Sequence, residues 1–81
     1  MNCLVSVIIV NWNTKEYLMN CLNSIRGTIN ADKVKIFVID NASNDGSSDM
    51  VVSSFPEVKL ILSEKFSYND LRYMHIFMNL E

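Results

Sequence analysis

Two short runs constrain this chain more than anything else in it. Leu4-Val5-Ser6-Val7-Ile8-Ile9-Val10 and Val34-Lys35-Ile36-Phe37-Val38-Ile39 are rich in β-branched and aromatic residues, and each stops abruptly at polar turn formers. A strand that is apolar on nearly every position must be covered on both faces, as happens inside a parallel sheet. Between the runs, Tyr17, Leu18, Cys21, Leu22 and Ile25 recur at helical spacing and predict one apolar stripe. Asn13 or Thr14 is placed to cap that helix, with Glu16 at capping-box distance from Asn13. Arg26 and Gly27 make a suitable stop, a cation in the last turn followed by a glycine.

The alternation continues. Thr28 to Lys33 is a polar connection, and Ser47 or Ser48 can cap a short helix with Met50, Val51 and Phe55 turned inward and Asp49 in its first turn. Pro56 ends it, and Val58 to Leu62 reads as a third strand. Strand, helix, strand, helix, strand implies right-handed crossovers. The predicted fold class is therefore α/β, a three-layer βαβαβ parallel sheet of Rossmann-like form. The apolar residues from Phe66 to Leu80, with Ser67 and Asp70 as a possible start, predict a C-terminal helix whose apolar positions spread around more than one face. A helix of that kind leaves an exposed patch unless something covers it. Residues 1–63 thus read as one partial domain and 64–81 as a helical tail.

With 81 residues the chain can form one small domain or part of a larger one. A net charge of −2 and a pI near 5.2 disfavour a nucleic-acid partner. Cys3 and Cys21 form no CxxC pair, and with a single histidine the usual zinc set is missing. They read as reduced, half-buried thiols. No signal-peptide pattern is evident and no run approaches the ~20 apolar residues that span a bilayer. A cytoplasmic location is the default expectation.

In open α/β sheets, ligands bind just beyond the carboxyl ends of the strands. Asp40 closes the second run, and Asn41-Ala42-Ser43-Asn44-Asp45-Gly46-Ser47 follows it, so Asp40 is the first candidate for a ligand contact. The first strand-to-helix turn, Asn11-Trp12-Asn13-Thr14, holds neither GxGxxG nor GxxxxGK[ST]. A dinucleotide-binding Rossmann domain and a P-loop NTPase are both poorly supported.

VSVIIVNWN, a helix beginning TKEYLMNCLNSI, VKIFVIDNASNDGS, a short helix and the strand VKLIL together resemble the N-terminal nucleotide-binding half of family 2 glycosyltransferases. The resemblance covers about the first three quarters of the chain. It looks most like the rhamnosyltransferase-type members that build cell-surface polysaccharides. It implies a GT-A fold and a nucleotide-diphospho-sugar donor, carried by UDP, dTDP or GDP. It also implies that Val10, Asn11, Trp12 and Asn13 line the base pocket, that Asp40 contacts the nucleoside, and that Asn41 and Ser43 shape the loop around it. An ionised carboxylate suits an imide N–H or a ribose hydroxyl, and an Asp40→Ala change is expected to weaken binding while leaving the fold intact. Trp12 either walls the pocket or plugs the end of the sheet. Asp45, Gly46 and Ser47 read as a local turn, and His75 as a surface or packing residue.

The chain departs from the family after Tyr68. The family's acidic DxD motif, which holds Mg²⁺ or Mn²⁺ on the donor diphosphate, is absent: Asp32, Asp40, Asp45, Asp49 and Asp70 never occur at that spacing. A metal cofactor is expected only in a full-length relative that carries a DxD, as is peripheral membrane association. No residue here is assigned a catalytic role. The expectation is a truncated glycosyltransferase half, not catalytically competent alone. The competing expectation is a non-catalytic interaction module that docks, or forms a homo-oligomer, through the apolar C-terminal helix.

Overall fold

The computed structural model describes residues 5–28, 33–63 and 75–80, the last stretch as backbone. The elements are β1 (Val5–Asn11), α1 (Lys15–Thr28), β2 (Val34–Asn41), α2 (Ser47–Ser54), β3 (Lys59–Ser63) and β4 (His75–Leu80). The first three strands are parallel, with β1 and β2 paired from Val5↔Val34 to Asn11↔Asp40 and β2 and β3 from Phe37↔Lys59 to Asn41↔Ser63. The expected βαβαβ order is therefore present, and the sheet runs β3-β2-β1-β4.

Side chains alternate across a strand, so register sorts the residues into two faces. Val7 and Ile9 of β1, Ile36 and Val38 of β2, and Leu60 of β3 share the face that meets the helices. Leu18 and Leu22 of α1 and Met50, Val51 and Phe55 of α2 join them in one core. Each step in strand order goes the same way, and a right-handed crossover then lays both helices on the same side. Among the described residues the architecture is two layers; a third layer is not among them.

The helical stripe is narrower than its sequence suggested. Leu18 and Leu22 are fully buried, yet Tyr17 is 72% exposed. At 100° per residue Tyr17 stands about a quarter-turn from the line through Leu18, Leu22 and Ile25, which puts it at the solvent margin. The helix also runs past Gly27 to Thr28, because glycine only ends a helix when the backbone turns left-handed, and Gly27 does not.

The tail is the main correction. Where a C-terminal helix was expected, His75–Leu80 forms a strand antiparallel to β1, from Val5↔Leu80 to Val10↔His75. The wide spread of apolar residues that fits no single helical face fits a strand, whose neighbours point to opposite faces. Pairing also satisfies the backbone groups along an otherwise open side of β1. Cys3, the Ser63-to-Asp70 stretch beyond Ser63, and the Ser67–Asp70 helix start lie outside the described residues.

Arg26 ties the helices together at the far end from the strand tips. Its guanidinium grips Glu57 in a bidentate pair, Nε to Oε2 at 2.8 Å and Nη2 to Oε1 at 2.7 Å. Nη2 also donates to the Ser54 carbonyl at 3.0 Å, and the group lies 4.4 Å from the Phe55 ring centroid. The Arg26 bond holds the Glu57 carboxyl below its usual range.

Candidate functional site

β1 and β2 end level with each other, so Asn11 and Asp40 stand side by side on the helix-bearing face. Both are buried, Asn11 fully and Asp40 to 2% exposure. Asn11 Nδ2 donates to Asp40 Oδ1 at 2.9 Å and, more weakly, to Ser43 Oγ at 3.3 Å. Ser43 Oγ donates to Asp40 Oδ1 at 2.7 Å, and its backbone N–H reaches Asp40 Oδ2 at 3.1 Å. Thr14 Oγ1 completes the chain by donating to Asn11 Oδ1 at 2.6 Å. A buried carboxylate is tolerated when hydrogen bonds replace its lost water, and here donors from both loops do so.

The same bonds clamp the loops to each other. Ser43 Oγ accepts from the Asn13 amide at 2.9 Å, and Asn13 Oδ1 accepts from the Asn44 amide at 2.8 Å. Asn13 and Ala42, each just past a strand end, adopt left-handed φ values of 50° and 57°. Asparagine tolerates that region; alanine costs about 1–2 kcal/mol there. The Ala42 kink turns the backbone so that Ser43 comes back beside Asp40.

Asp45 holds the two helix starts. Its Oδ2 accepts the Lys15 amide at 3.0 Å, its Oδ1 accepts the Ser47 amide at 3.0 Å, and the Ser47 hydroxyl also donates to Oδ1. The expected capping box at Asn13 and Glu16 does not form, because Asn13 is used by Asn44 and the first amide of α1 goes to Asp45. Likewise Ser47 is the first residue of α2 rather than its cap. The cap position is Gly46, left-handed at φ 88° and without a side-chain bond. Burial pushes the Asp45 carboxyl up, but the bonds from the Ser47 hydroxyl and the Lys15 and Ser47 amides outweigh it, and the group titrates below the ordinary aspartate range.

Of the sequence-predicted site residues, Asn11, Asn13, Asp40 and Ser43 come together. Val10 and Asn41 are buried, at 8% and 6% exposure, but alternation sends their side chains to the opposite face. Trp12 is half-buried in the bend after β1. A cleft of about 230 Å³ opens beside Asp40, lined also by Ala42, Ser43, Ser48, Leu62 and Ser63. Leu62 pairs with Asp40 across the β2–β3 ladder and is 64% exposed, an apolar wall next to a polar floor. A wider depression of about 460 Å³ lies outside the loops, between Asn13 to Tyr17 and Asp45. Leu62 and Ser63 were missed because only strand register brings them to Asp40, and Ser48 because it reaches the cleft from the first turn of α2. Asp45 was read too locally, since besides the Ser47 amide it takes the Lys15 amide from the other loop; Thr14 bonds within its own turn, to Asn11.

Among the described residues no three His, Cys, Asp or Glu side chains converge, and Asp40 and Asp45 are already committed to hydrogen bonds. No described helix is long and apolar enough to cross a membrane. A family model described as Glycosyl transferase family 2 matches residues 6–68. No curated protein and no solved structure matches the chain.

Proposed function

We propose that this chain, which belongs to glycosyl transferase family 2, holds the nucleoside end of a nucleotide-diphospho-sugar donor at the carboxyl ends of β1, β2 and β3. The observation that carries this reading is the Asp40 carboxylate, buried at the strand tips beside an open cleft. Supporting it, the cleft sits where open α/β sheets take ligands, and its mix of one aliphatic wall with hydroxyl and carboxylate groups suits a base and ribose.

The carboxylate also limits which base fits. It offers about four acceptor directions, and Asn11 and Ser43 occupy three of them, two on Oδ1 and one on Oδ2. One acceptor direction on Oδ2 remains. A uracil or thymine imide presents one N–H and matches it. Guanine presents adjacent N–H and NH₂ donors and leaves one of them without a partner, which costs about 1–3 kcal/mol when buried. UDP- or dTDP-sugars are therefore favoured over GDP-sugars. The wider role that goes with such a donor is cell-surface polysaccharide synthesis. Acceptor deprotonation and neutralisation of the leaving diphosphate are not assigned to any of the described residues.

Of the segment on which the competing interaction module rests, His75–Leu80 is a strand paired with β1, and residues 64–74 lie outside the described ones. NMR titration with UDP, dTDP and GDP tests the nucleotide reading. Amide shifts at Asn11, Ser43, Ser48 and Leu62 with UDP or dTDP, and smaller ones with GDP, are expected; no shift with any nucleotide overturns it.

A further inference from the structure

Thr14 stands immediately before α1, and its carbonyl accepts the Leu18 amide at 2.8 Å. A threonine at that position ordinarily turns its side-chain oxygen forward to accept an amide of the first helical turn. Here the side chain turns back. Its hydroxyl donates to Asn11 Oδ1 at 2.6 Å, while the first amide of α1 goes to Asp45.

The proton directions around Asn11 are forced. A carboxylate only accepts, so the end of Asn11 that meets Asp40 Oδ1 at 2.9 Å is the Nδ2 donor. The other end of the same carboxamide is therefore an acceptor. It is buried with the rest of Asn11 and needs a donor, which the Thr14 hydroxyl supplies. Asn11 is thus held at both ends, and two bonds fix the plane of its carboxamide.

We propose that Thr14 is a positioning residue that sets the base preference of the cleft from outside it. The cleft beside Asp40 is lined by other residues; Thr14 borders the separate depression outside the loops. It acts on Asp40 through Asn11. With Asn11 in place, Oδ1 takes two donors and Oδ2 takes the Ser43 amide, which leaves one acceptor direction on Oδ2. That single direction is what favours an imide over guanine. Without the Thr14 hydroxyl, Asn11 Oδ1 is a buried acceptor with no donor, a state folded proteins avoid. The carboxamide regains a partner by swinging towards the open depression that Thr14 borders, and the swing withdraws Nδ2 from Asp40. Each carboxylate oxygen then has one open direction. Guanine presents two adjacent donors and matches that pair, so the preference narrows. This role rests on the reading of the cleft as a nucleoside site.

Affinities of the full chain for UDP and GDP test it, measured for the parent, Thr14→Val and Thr14→Ser. Valine keeps the shape of threonine without the hydroxyl, and serine keeps the hydroxyl. Thr14→Val is expected to weaken UDP roughly tenfold, the size of one lost bond to a buried group, and to weaken GDP much less. Thr14→Ser is expected to keep the parent's preference. Equal losses for UDP and GDP mark a purely structural residue and overturn the proposal. A Thr14→Val chain with unchanged preference, or a Thr14→Ser chain that behaves like Thr14→Val, also overturns it. A parent chain that binds neither nucleotide is a different result: it overturns the nucleoside reading itself, and the proposal with it. A second measurement needs no variant. The Thr14 hydroxyl proton is expected to exchange slowly enough to give its own NMR signal, with a cross-peak to Asn11. A hydroxyl that exchanges freely with water overturns the proposal even where Thr14→Val does not fold.

Discussion

The amide of Lys15 and the carboxylate of Asp45 meet at 3.0 Å across 30 positions of sequence. The other oxygen of the same carboxylate takes the amide of Ser47 at 3.0 Å. One side chain therefore neutralises the exposed amides, and the positive dipole ends, of α1 and α2 together. Removing it with Asp45→Ala is expected to cost about 1–2 kcal/mol, the range for losing a helix cap, read as a lower urea midpoint at unchanged slope.

The same carboxylate gives the fold an acid limit. Its folded-state pKa lies below the ordinary value, so the folded protein binds fewer protons than the unfolded one. Its contribution is complete above the unfolded aspartate value of about 4 and is lost as pH falls through the folded value. The Glu57 carboxyl, held down by Arg26, has the same sign. Urea midpoints should be flat from pH 7 to about pH 5 and fall below that, and Asp45→Ala should flatten part of the fall. An identical acid limb in the variant counts against Asp45.

Asp40 was expected to be replaceable without harm to the fold, and its burial changes that. Asp40→Ala strands the Asn11 carboxamide and the Ser43 amide and hydroxyl, which are all part-buried or buried. Each orphaned group costs about 1–3 kcal/mol. The expected loss is several kcal/mol and most of any nucleotide affinity with it. Asn11→Ala should overlap with Asp40→Ala rather than add to it, because they break the same bond. Strict additivity in a double-mutant cycle contradicts the network.

Two glycine exchanges should stabilise, in opposite directions of chemistry. Ala42 sits at φ 57°, so Ala42→Gly should gain about 1 kcal/mol by relieving the left-handed backbone. Gly27 lies inside α1 with open space around an added Cβ, so Gly27→Ala should gain roughly 0.5–1 kcal/mol. Thermal melts of the two single variants and the pair settle both, and the gains should add, since the sites share no partner.

Arg26 and Glu57 form an ion pair, but both side chains are nearly half exposed. Such pairs contribute ~0.2–1 kcal/mol. Arg26 does more than pair: it holds the Ser54 carbonyl and covers Phe55. Arg26→Ala should therefore destabilise more than Glu57→Ala, and high salt should narrow the cost of Glu57→Ala more than that of Arg26→Ala. Equal costs for both variants mean that the ion pair is all that Arg26 supplies.

The parallel strands were legible because their residues are apolar at nearly every position, a pattern few other structures permit. α2 was legible from Met50, Val51 and Phe55, and its end from Pro56. Asp40 was found because a strand end and a polar turn coincide there. Leu62 was not, because a lone exposed leucine carries no signal until the β2–β3 register sets it beside Asp40. The reach of Asp45 to Lys15 was equally hidden, since a turn of Asn, Asp, Gly and Ser satisfies itself locally in most chains. The tail was misread for a third reason. Apolar residues at Ile76, Phe77, Met78 and Leu80 fit a helix covered on several sides as well as a strand covered on two. What decided between them was an unpaired side of β1, a property of the sheet and not of the tail.

That placement has a consequence for how the molecule is made. β1 is synthesised before the other three described strands, yet it lies inside the sheet between β2 and β4. Its two neighbours are separated by the 33 residues from 42 to 74, so β1 waits beside β2 with one flank open while α2 and β3 are still being synthesised. The four described strands are all in place only after Leu80 has been added, and β4 then closes against β1, the earliest of the four.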